Sequence, residues 1–194
     1  RVPAMRGLMD EINWSDRLIA IKGGRGVGKT DFLLNYAKEM RVKNPELAKH
    51  TLYVNLSDFY FTEHTLVELA AEFVAGGGQV LLIDQAYKYP NWSRELAQCY
   101  YRYPNLRIVF IATAVMRVVE DNKDIGHIVR PYNLRGFSFR EYLNVTLGLK
   151  LPVYTLEDIL KNHVEIAQQI CRHIKPLDYF NDYLPHGFYP LFLE

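Results

Sequence analysis

An eight-residue glycine-rich segment carries the strongest chemical signal in the chain. Residues 23–30 read Gly-Gly-Arg-Gly-Val-Gly-Lys-Thr, which matches the pattern GxxxxGK[ST] at every fixed position. Glycines let the backbone turn so that successive N–H groups face an anion, and the helix that follows offers its positive end to the same anion. The segment therefore predicts a phosphate-binding loop of the Walker A type. Its candidate nucleotide-binding residues are Gly23, Gly24, Arg25, Gly26, Val27, Gly28, Lys29, Thr30 and Asp31.

Two side chains of this loop and one carboxylate further along the chain predict the chemistry at the phosphates. Lys29 is expected to reach the β- and γ-phosphates, and the Thr30 hydroxyl is expected to ligate Mg²⁺. Asp84 follows the apolar residues 80–83, as the carboxylate of a Walker B strand does, and is the second candidate Mg²⁺ residue. The plainer alternatives are a glycine-rich turn that binds nothing and an aspartate that forms a turn. The strand before the loop and the helix after it favour the phosphate site.

Two further positions bear on hydrolysis of the bound nucleotide. Gln85 follows Asp84 at the place where many ATPases of this architecture carry a glutamate that polarises the attacking water. An amide can orient water but cannot accept its proton, so the sequence predicts a nucleotide clamp without its usual general base. Thr113 ends a later apolar strand and is a candidate contact to the γ-phosphate or the water; the alternative is a cap of the next helix. Gln85 and Thr113 thus join Lys29 and Asp84 as candidate catalytic residues.

Hydrophobic periodicity predicts strands that alternate with helices along the chain. Short apolar or β-branched runs indicate strands, and apolar residues that recur three and four apart indicate helices. Glu141 follows Ser138 at capping-box spacing, and Thr155 is the candidate cap of a later helix. The predicted strands cover residues 18–21, 51–56, 80–83, 107–112 and 132–134, and the predicted helices cover residues 32–40, 66–74, 92–101 and the segments after Ser138 and Thr155. This alternation predicts an α/β fold with a mostly parallel sheet between two layers of helices.

Composition and charge argue against several classes of protein. The 194 residues include 23 basic and 22 acidic side chains, a net charge of +1 that gives no electrostatic support for binding nucleic acid. The longest apolar runs have only the length of strands, so no membrane span is expected. Cys99 and Cys171 are too few for a disulfide framework and favour a reducing, cytoplasmic compartment. The chain begins at Arg1 and stops at Glu194 in an apolar, aromatic stretch, and we expect both ends to be cuts in a longer protein.

Several segments together resemble one family of proteins. Residues 19–30, 82–84 and 88–92 resemble an AAA+-type family of bacterial and archaeal ATPases. Residues 106–110 and 136–143 match the later strand and the LSFREYL element of the same family. In this family a P-loop domain precedes a domain of unknown function with winged-helix character. The resemblance implies a three-layer α/β/α fold with strand order 5-1-4-3-2, and it implies ATP as the nucleotide. The sequence also shows no guanine-reading element, which favours ATP over GTP.

The resemblance also sets expectations for domains and activity. Residues 1–150 are expected to form the nucleotide-binding domain, and residues 151–194 a helical extension that begins a truncated C-terminal region. The family usually has Glu at position 85 and Thr or Ser at position 31, where this chain has Gln85 and Asp31. We therefore expect an ATP- and Mg²⁺-binding ATPase domain that acts as a conformational switch with weak hydrolysis. The alternative is a non-hydrolysing scaffold that binds ATP and recruits a partner protein, and a small-molecule kinase is disfavoured because neither an arginine-bearing lid nor an acceptor pocket is visible.

Overall fold

The computed structural model of the chain describes residues 6–190, and the predictions about Arg1 and Glu194 lie outside this range. Its strands are β1 (Leu18–Gly23), β2 (Thr51–Asn55), β3 (Val80–Asp84), β4 (Arg107–Thr113) and β5 (Arg130–Asn133). Its α-helices are α1 (Leu8–Glu11), α2 (Lys29–Lys43), α3 (Pro45–Lys49), α4 (Leu66–Ala75), α5 (Trp92–Arg102), α6 (Phe139–Leu147), α7 (Leu156–His173) and α8 (Pro176–Asp182). Every predicted strand and helix is therefore present, with ends shifted by a few residues.

The five strands form one parallel sheet in the order β2-β3-β4-β1-β5. This is the predicted order 5-1-4-3-2 counted from the opposite edge, and it confirms the α/β fold class. Gly23 at the end of β1 pairs with Thr113 at the end of β4, and Asn55 at the end of β2 pairs with Asp84 at the end of β3. In parallel α/β sheets, ligands bind beyond the carboxyl ends of the strands. The sheet therefore gathers the predicted site residues at the edge where such sites form.

The core is concentrated in the central strands of the sheet. All five residues of β3 are buried, whereas β2 is only half-buried and β5 is mostly exposed at the other edge. A strand covered by helices on both faces needs apolar residues at consecutive positions, which explains why β3 shows no alternation of polar and apolar residues. Fully burying a side chain such as Leu82 contributes about 1.5–3 kcal/mol. The packed strands β1, β3 and β4 thus form a firm base for the loops at their carboxyl ends.

The chain forms two compact units. The larger unit, Ile12–Arg135, contains the whole sheet together with α2, α3, α4 and α5. The described part of the smaller unit combines residues 6–11 with residues 136–190 and contains α1, α6, α7 and α8. Within this smaller unit, the backbone N–H of Gly7 donates to Oε1 of Glu141 at 2.8 Å, which ties the N-terminal segment to α6. The domain boundary expected at residue 150 stays a prediction.

The two helix caps predicted from the sequence are confirmed in the smaller unit. Ser138 and Glu141 form a capping box at the start of α6, and Thr155 and Asp158 form one at the start of α7. The apolar residues of α7 are largely exposed, with Leu160 at 70%. The spacing of these residues therefore predicts the helix correctly, but it does not show that their side chains are buried. Within residues 6–190, no helix is both long and apolar enough to cross a lipid bilayer.

Helix α3 was not predicted from the sequence. It has five residues, too few for a hydrophobic repeat to show. Local chemistry explains why it forms: the side chain of Asn44 accepts a hydrogen bond from the backbone of Leu47 at 3.1 Å, and Pro45 occupies the first turn. Asparagine caps and first-turn prolines both stabilise helix starts. The short helix leads the chain from α2 into β2.

Candidate functional site: a phosphate-binding loop

The loop between β1 and α2 has a backbone conformation that requires its glycines. Gly26 and Gly28 have φ angles of 81° and 84°, in the left-handed region that residues with a Cβ rarely adopt. Gly28 is also the N-cap of α2, so the helix begins directly at the loop. The first N–H groups of a helix have no carbonyl partner within the helix, and they favour binding of an anion. The loop can therefore present backbone N–H groups to a phosphate.

Gly23 occupies a position that has no room for a side chain. A Cβ there would lie 2.6 Å from the carbonyl oxygen of Leu134 and 3.0 Å from a methyl group of Val27. We expect Gly23→Ala to push the loop away from Leu134 and to lower the free energy of unfolding by about 1–3 kcal/mol, the usual cost of overpacking. Nucleotide affinity should fall with it. Thermal unfolding and titration with a fluorescent ATP analogue measure the two effects.

Gly24→Ala is the matched control for this substitution. The nearest atom to a Cβ at Gly24 belongs to Val27 and lies 3.7 Å away, an ordinary van der Waals distance. This variant is therefore expected to unfold at nearly the wild-type temperature. If the alanines at Gly23 and Gly24 lower stability equally, close packing at Gly23 is not what fixes the loop.

Lys29, the first residue of α2, directs its ammonium group back to the loop. Its Nζ donates hydrogen bonds to the carbonyl oxygens of Gly23 at 3.0 Å and Gly24 at 2.6 Å. Burial lowers the pKa of Lys29, and the nearby carboxylate of Asp84 acts in the opposite direction. The lysine thus places a positive charge at the loop.

Asp84 provides a buried carboxylate at the end of β3. Only 2% of the surface of Asp84 is exposed. The Thr30 hydroxyl donates to Oδ2 at 2.6 Å, the Tyr53 hydroxyl donates to the same oxygen at 3.0 Å, and the backbone N–H of Gln85 donates to Oδ1 at 2.6 Å. These donors offset the cost of removing a carboxylate from water. Thr30 and Asp84, the two residues predicted to serve Mg²⁺, are therefore in direct contact.

Tyr53 is a site residue that the sequence analysis did not single out. It lies in the middle of β2, where the register pairs it with Leu82, two residues before Asp84. Burial, together with the charge and the hydrogen bond of Asp84, raises the pKa of Tyr53 to about 12. In the sequence, Tyr53 is one aromatic residue in an ordinary strand pattern. Only the pairing of β2 with β3 brings it to the carboxylate.

Gln85 continues the chain from Asp84 in an unusual conformation. Its φ angle is 56°, in the left-handed region that is uncommon for a residue other than glycine. The side-chain oxygen Oε1 is buried and has no hydrogen-bond partner within residues 6–190. A buried acceptor left without a partner costs about 1–3 kcal/mol. The amide oxygen of Gln85 therefore keeps its acceptor capacity unused within residues 6–190.

The remaining predicted residues lie around this centre with different exposure. Thr113 is half-buried beside Gly23, and its backbone N–H contacts the sulfur of Met116 at 3.4 Å. Arg25 and Asp31 are exposed, and Asp31 adds a negative charge to the first turn of α2. The structure thus joins Lys29, Thr30, Asp84 and Gln85 in one cluster, with Thr113 at the neighbouring strand end. The chemical roles given to these residues stay predictions.

The fold and this loop together define the class of protein. A glycine loop that links the first strand of a parallel sheet to the next helix, with a carboxylate ending another central strand, is the arrangement of a P-loop NTPase. A family model described as an AAA domain matches residues 15–143. The match covers more than half of the chain, so the chain belongs to the AAA domain family. The resemblance to AAA+-type ATPases is therefore confirmed. No curated protein is detectably similar to the chain in sequence.

Solved structures of low sequence identity are similar to this chain. Domain III of the replication initiation protein DnaA from Thermotoga maritima is 17% identical, with a TM-score of 0.50 over 80% of this chain and 72% of that chain. The Orc1 protein of Aeropyrum pernix in complex with DNA is 13% identical, with a TM-score of 0.49 over 68% of this chain and 42% of that chain. AMPPCP-bound DnaA from Aquifex aeolicus is 16% identical, with a TM-score of 0.45 over 82% of this chain and 56% of that chain. The first of these likenesses supports the fold alone.

Proposed function

We propose that this chain binds ATP together with Mg²⁺ at residues 23–31, as the nucleotide-binding domain of an AAA+-type ATPase. The observation that carries the proposal is the hydrogen bond of 2.6 Å from the Thr30 hydroxyl to Asp84. It joins the loop that would hold the phosphates to the strand that would support the metal ion. Lys29, whose ammonium lies against the loop carbonyls, would neutralise the β- and γ-phosphates.

The oxygen atoms at the end of β3 suit Mg²⁺. This hard cation prefers oxygen ligands and is usually held by one or two protein groups together with phosphate oxygens and water. The Thr30 hydroxyl and the Asp84 carboxylate supply oxygen atoms of this kind, and hydrogen bonds to both carboxylate oxygens fix the orientation of Asp84. When bound, Mg²⁺ would supply positive charge that stabilises the negative charge on the phosphates.

We further propose that hydrolysis is weak and that the domain acts as a nucleotide-dependent switch. Gln85, whose amide oxygen is buried without a partner in the described chain, supports orientation of a water molecule. A neutral amide cannot accept the proton of that water, so the barrier stays high. Thr113, half-buried at the end of β4, is proposed to contact the γ-phosphate or the water. The ATP-bound state would then be long-lived and set the conformation of the domain.

A non-hydrolysing ATP-binding scaffold is the second candidate function, and Gln85 is the observation that favours it. In that case ATP would stabilise the domain without turnover, and a partner protein would bind the ATP-bound form. Both candidates take residues 1–150 as the nucleotide-binding domain and residues 151–194 as its helical extension. The two free cysteines, Cys99 and Cys171, support a cytoplasmic location for either.

Thermal unfolding with and without nucleotide tests the proposal. At a concentration one hundred times its Kd, a ligand stabilises the folded state by about 2.7 kcal/mol, which raises the melting temperature of a chain of this size by about 5–10 °C. We expect this rise with Mg²⁺ and ATP. No shift at millimolar nucleotide would end the binding proposal. Phosphate release then distinguishes the slow ATPase from the scaffold, which gives none.

A further inference from the structure

We propose that Tyr53 is a positioning residue for Mg²⁺-dependent nucleotide binding, and that it acts by holding the carboxylate of Asp84 in place. The inference rests on the proposed function, since it names a residue that serves the same site. Its basis is the contact of 3.0 Å in which the Tyr53 hydroxyl donates to Oδ2 of Asp84. Nothing in the Walker A pattern or in the strand that ends at Asp84 points to a residue on β2.

The carboxylate of Asp84 is held by donors from different parts of the fold. Oδ1 accepts from the backbone of Gln85, while Oδ2 accepts from the hydroxyls of Thr30 and Tyr53. Thr30 belongs to the phosphate loop and its helix, so its contact depends on the position of the loop. Tyr53 belongs to the sheet, where β2 pairs with β3 along its whole length. Tyr53 is therefore the side-chain donor that holds Oδ2 independently of the loop.

The register of the two strands explains why a tyrosine at this position reaches Asp84. Tyr53 pairs with Leu82 and Asn55 pairs with Asp84, so Tyr53 and Asp84 lie on the same face of the sheet, two residues apart along the strands. A phenol is long enough to span that separation, whereas a serine or threonine hydroxyl is too short. The ring stays half-buried in β2 while its hydroxyl meets the carboxylate at the carboxyl edge of the sheet.

The direction of this hydrogen bond follows from the chemistry of the two groups. An ionised carboxylate can only accept, so the phenol must donate. The hydroxyls of Tyr53 and Thr30 both donate to Oδ2, so the phenol holds the carboxylate oxygen that also contacts Thr30.

Tyr53→Phe tests the inference, because it removes the hydroxyl and leaves the ring. Binding of a fluorescent ATP analogue is measured in excess Mg²⁺ and in excess EDTA. Loss of a hydrogen-bond partner behind a metal ligand typically weakens metal binding by a factor of 10 to 100, so we expect the Kd in Mg²⁺ to rise about tenfold. The Kd in EDTA should stay within about twofold of wild type, because the loop and Lys29 are unchanged. The Mg²⁺ concentration at half-saturation should rise together with the Kd measured in Mg²⁺.

Tyr89→Phe is the matched control. Its hydroxyl also donates to a carboxylate, that of Glu95, at 3.1 Å, and it also accepts from a backbone N–H, that of Leu66. Within residues 6–190, neither Tyr89 nor Glu95 hydrogen-bonds to Asp84, so the variant is expected to keep the Mg²⁺ dependence of wild type while losing some stability. If Tyr53→Phe and Tyr89→Phe change the Mg²⁺ dependence alike, the inference is overturned.

A double-mutant cycle with Asp84→Asn asks whether Tyr53 acts through the carboxylate. Residues that act through one another give non-additive effects. We expect Tyr53→Phe to change the Mg²⁺ half-saturation little in the Asp84→Asn background, and an additive loss would overturn the inference. If Tyr53→Phe fails to fold, 4-aminophenylalanine and 4-methylphenylalanine at position 53 replace it, because both keep the length of tyrosine and only the first retains an N–H donor. The 4-aminophenylalanine chain should then give the lower Mg²⁺ half-saturation, and equal values would overturn the inference.

The outcomes separate this inference from the proposed function. A wild-type chain that binds no nucleotide in either buffer overturns the proposed function, and the inference with it. If the wild-type chain binds Mg²⁺ and ATP, the proposed function stands. If the affinity of the Tyr53→Phe variant then falls equally in Mg²⁺ and in EDTA, only the inference is overturned, and Tyr53 is a purely structural residue.

Discussion

Lys29→Ala is expected to abolish nearly all of the stabilisation that Mg²⁺ and ATP confer on the wild-type chain. Hydrogen bonds to charged groups contribute about 1.5–3 kcal/mol each, so loss of the ammonium from the phosphates should cost about 3 kcal/mol, a factor of about 100 in Kd. At a nucleotide concentration that raises the wild-type melting temperature by about 5–10 °C, the variant should gain only about 1 °C. Differential scanning fluorimetry measures both values.

The loss should appear in binding rather than in folding. Within residues 6–190, Lys29 Nζ donates only to the carbonyl oxygens of Gly23 and Gly24, and water can replace an ammonium group at carbonyls that are only partly buried. The variant without nucleotide should therefore melt close to wild type. Lys38→Ala is the control, because Lys38 is an exposed lysine on the same helix. A Lys29→Ala variant that keeps the full nucleotide shift would show that ATP binds elsewhere or without the loop.

Much of the fold and the centre of the site could be predicted because their signals are local in the sequence. The loop of residues 23–30 is a contiguous pattern, and the left-handed φ angles of Gly26 and Gly28 are a conformation that glycine tolerates best. The apolar run of β3 directly before Asp84 showed a buried strand with a carboxylate at its end. Each of these features is set by neighbouring residues, so one sequence is enough to recognise it.

The features that sequence analysis missed depend on pairing between distant segments or on backbone angles. Tyr53 reaches Asp84 only because β2 and β3 adopt one particular register, and no pattern within β2 specifies it. The left-handed backbone of Gln85 and its buried amide oxygen follow from packing after β3, since glutamine has no preference for that conformation. The sequence shows that Gln85 replaces the glutamate that usually acts as the general base. The structure adds that its side-chain oxygen is buried without a partner in the described chain.

That buried oxygen makes Gln85→Glu the most informative change for turnover. The substitution replaces an amide with a carboxylate of nearly the same shape. It is made at the residue that follows Asp84, and the backbone N–H of this residue donates to the Asp84 carboxylate at 2.6 Å. A second negative charge beside Asp84, in a partly buried position, should raise the pKa of the new glutamate toward the range of an effective general base. We expect the rate of phosphate release to increase at least about tenfold, which corresponds to about 1.4 kcal/mol in the activation barrier.

The negative charge introduced by Gln85→Glu should also lower the stability of the fold. A substitution at a second glutamine separates this effect from the effect on phosphate release. Repulsion from Asp84 and loss of hydration should lower the melting temperature of Gln85→Glu without nucleotide. Gln79→Glu makes an identical chemical change at an exposed residue just before β3, at the opposite end of the same strand, and should alter neither rate nor stability. An unchanged rate in Gln85→Glu would mean that the missing carboxylate does not limit hydrolysis. Rapid phosphate release by the wild-type chain would show instead that an orienting amide is sufficient for this site, because water activation would then need no protein base.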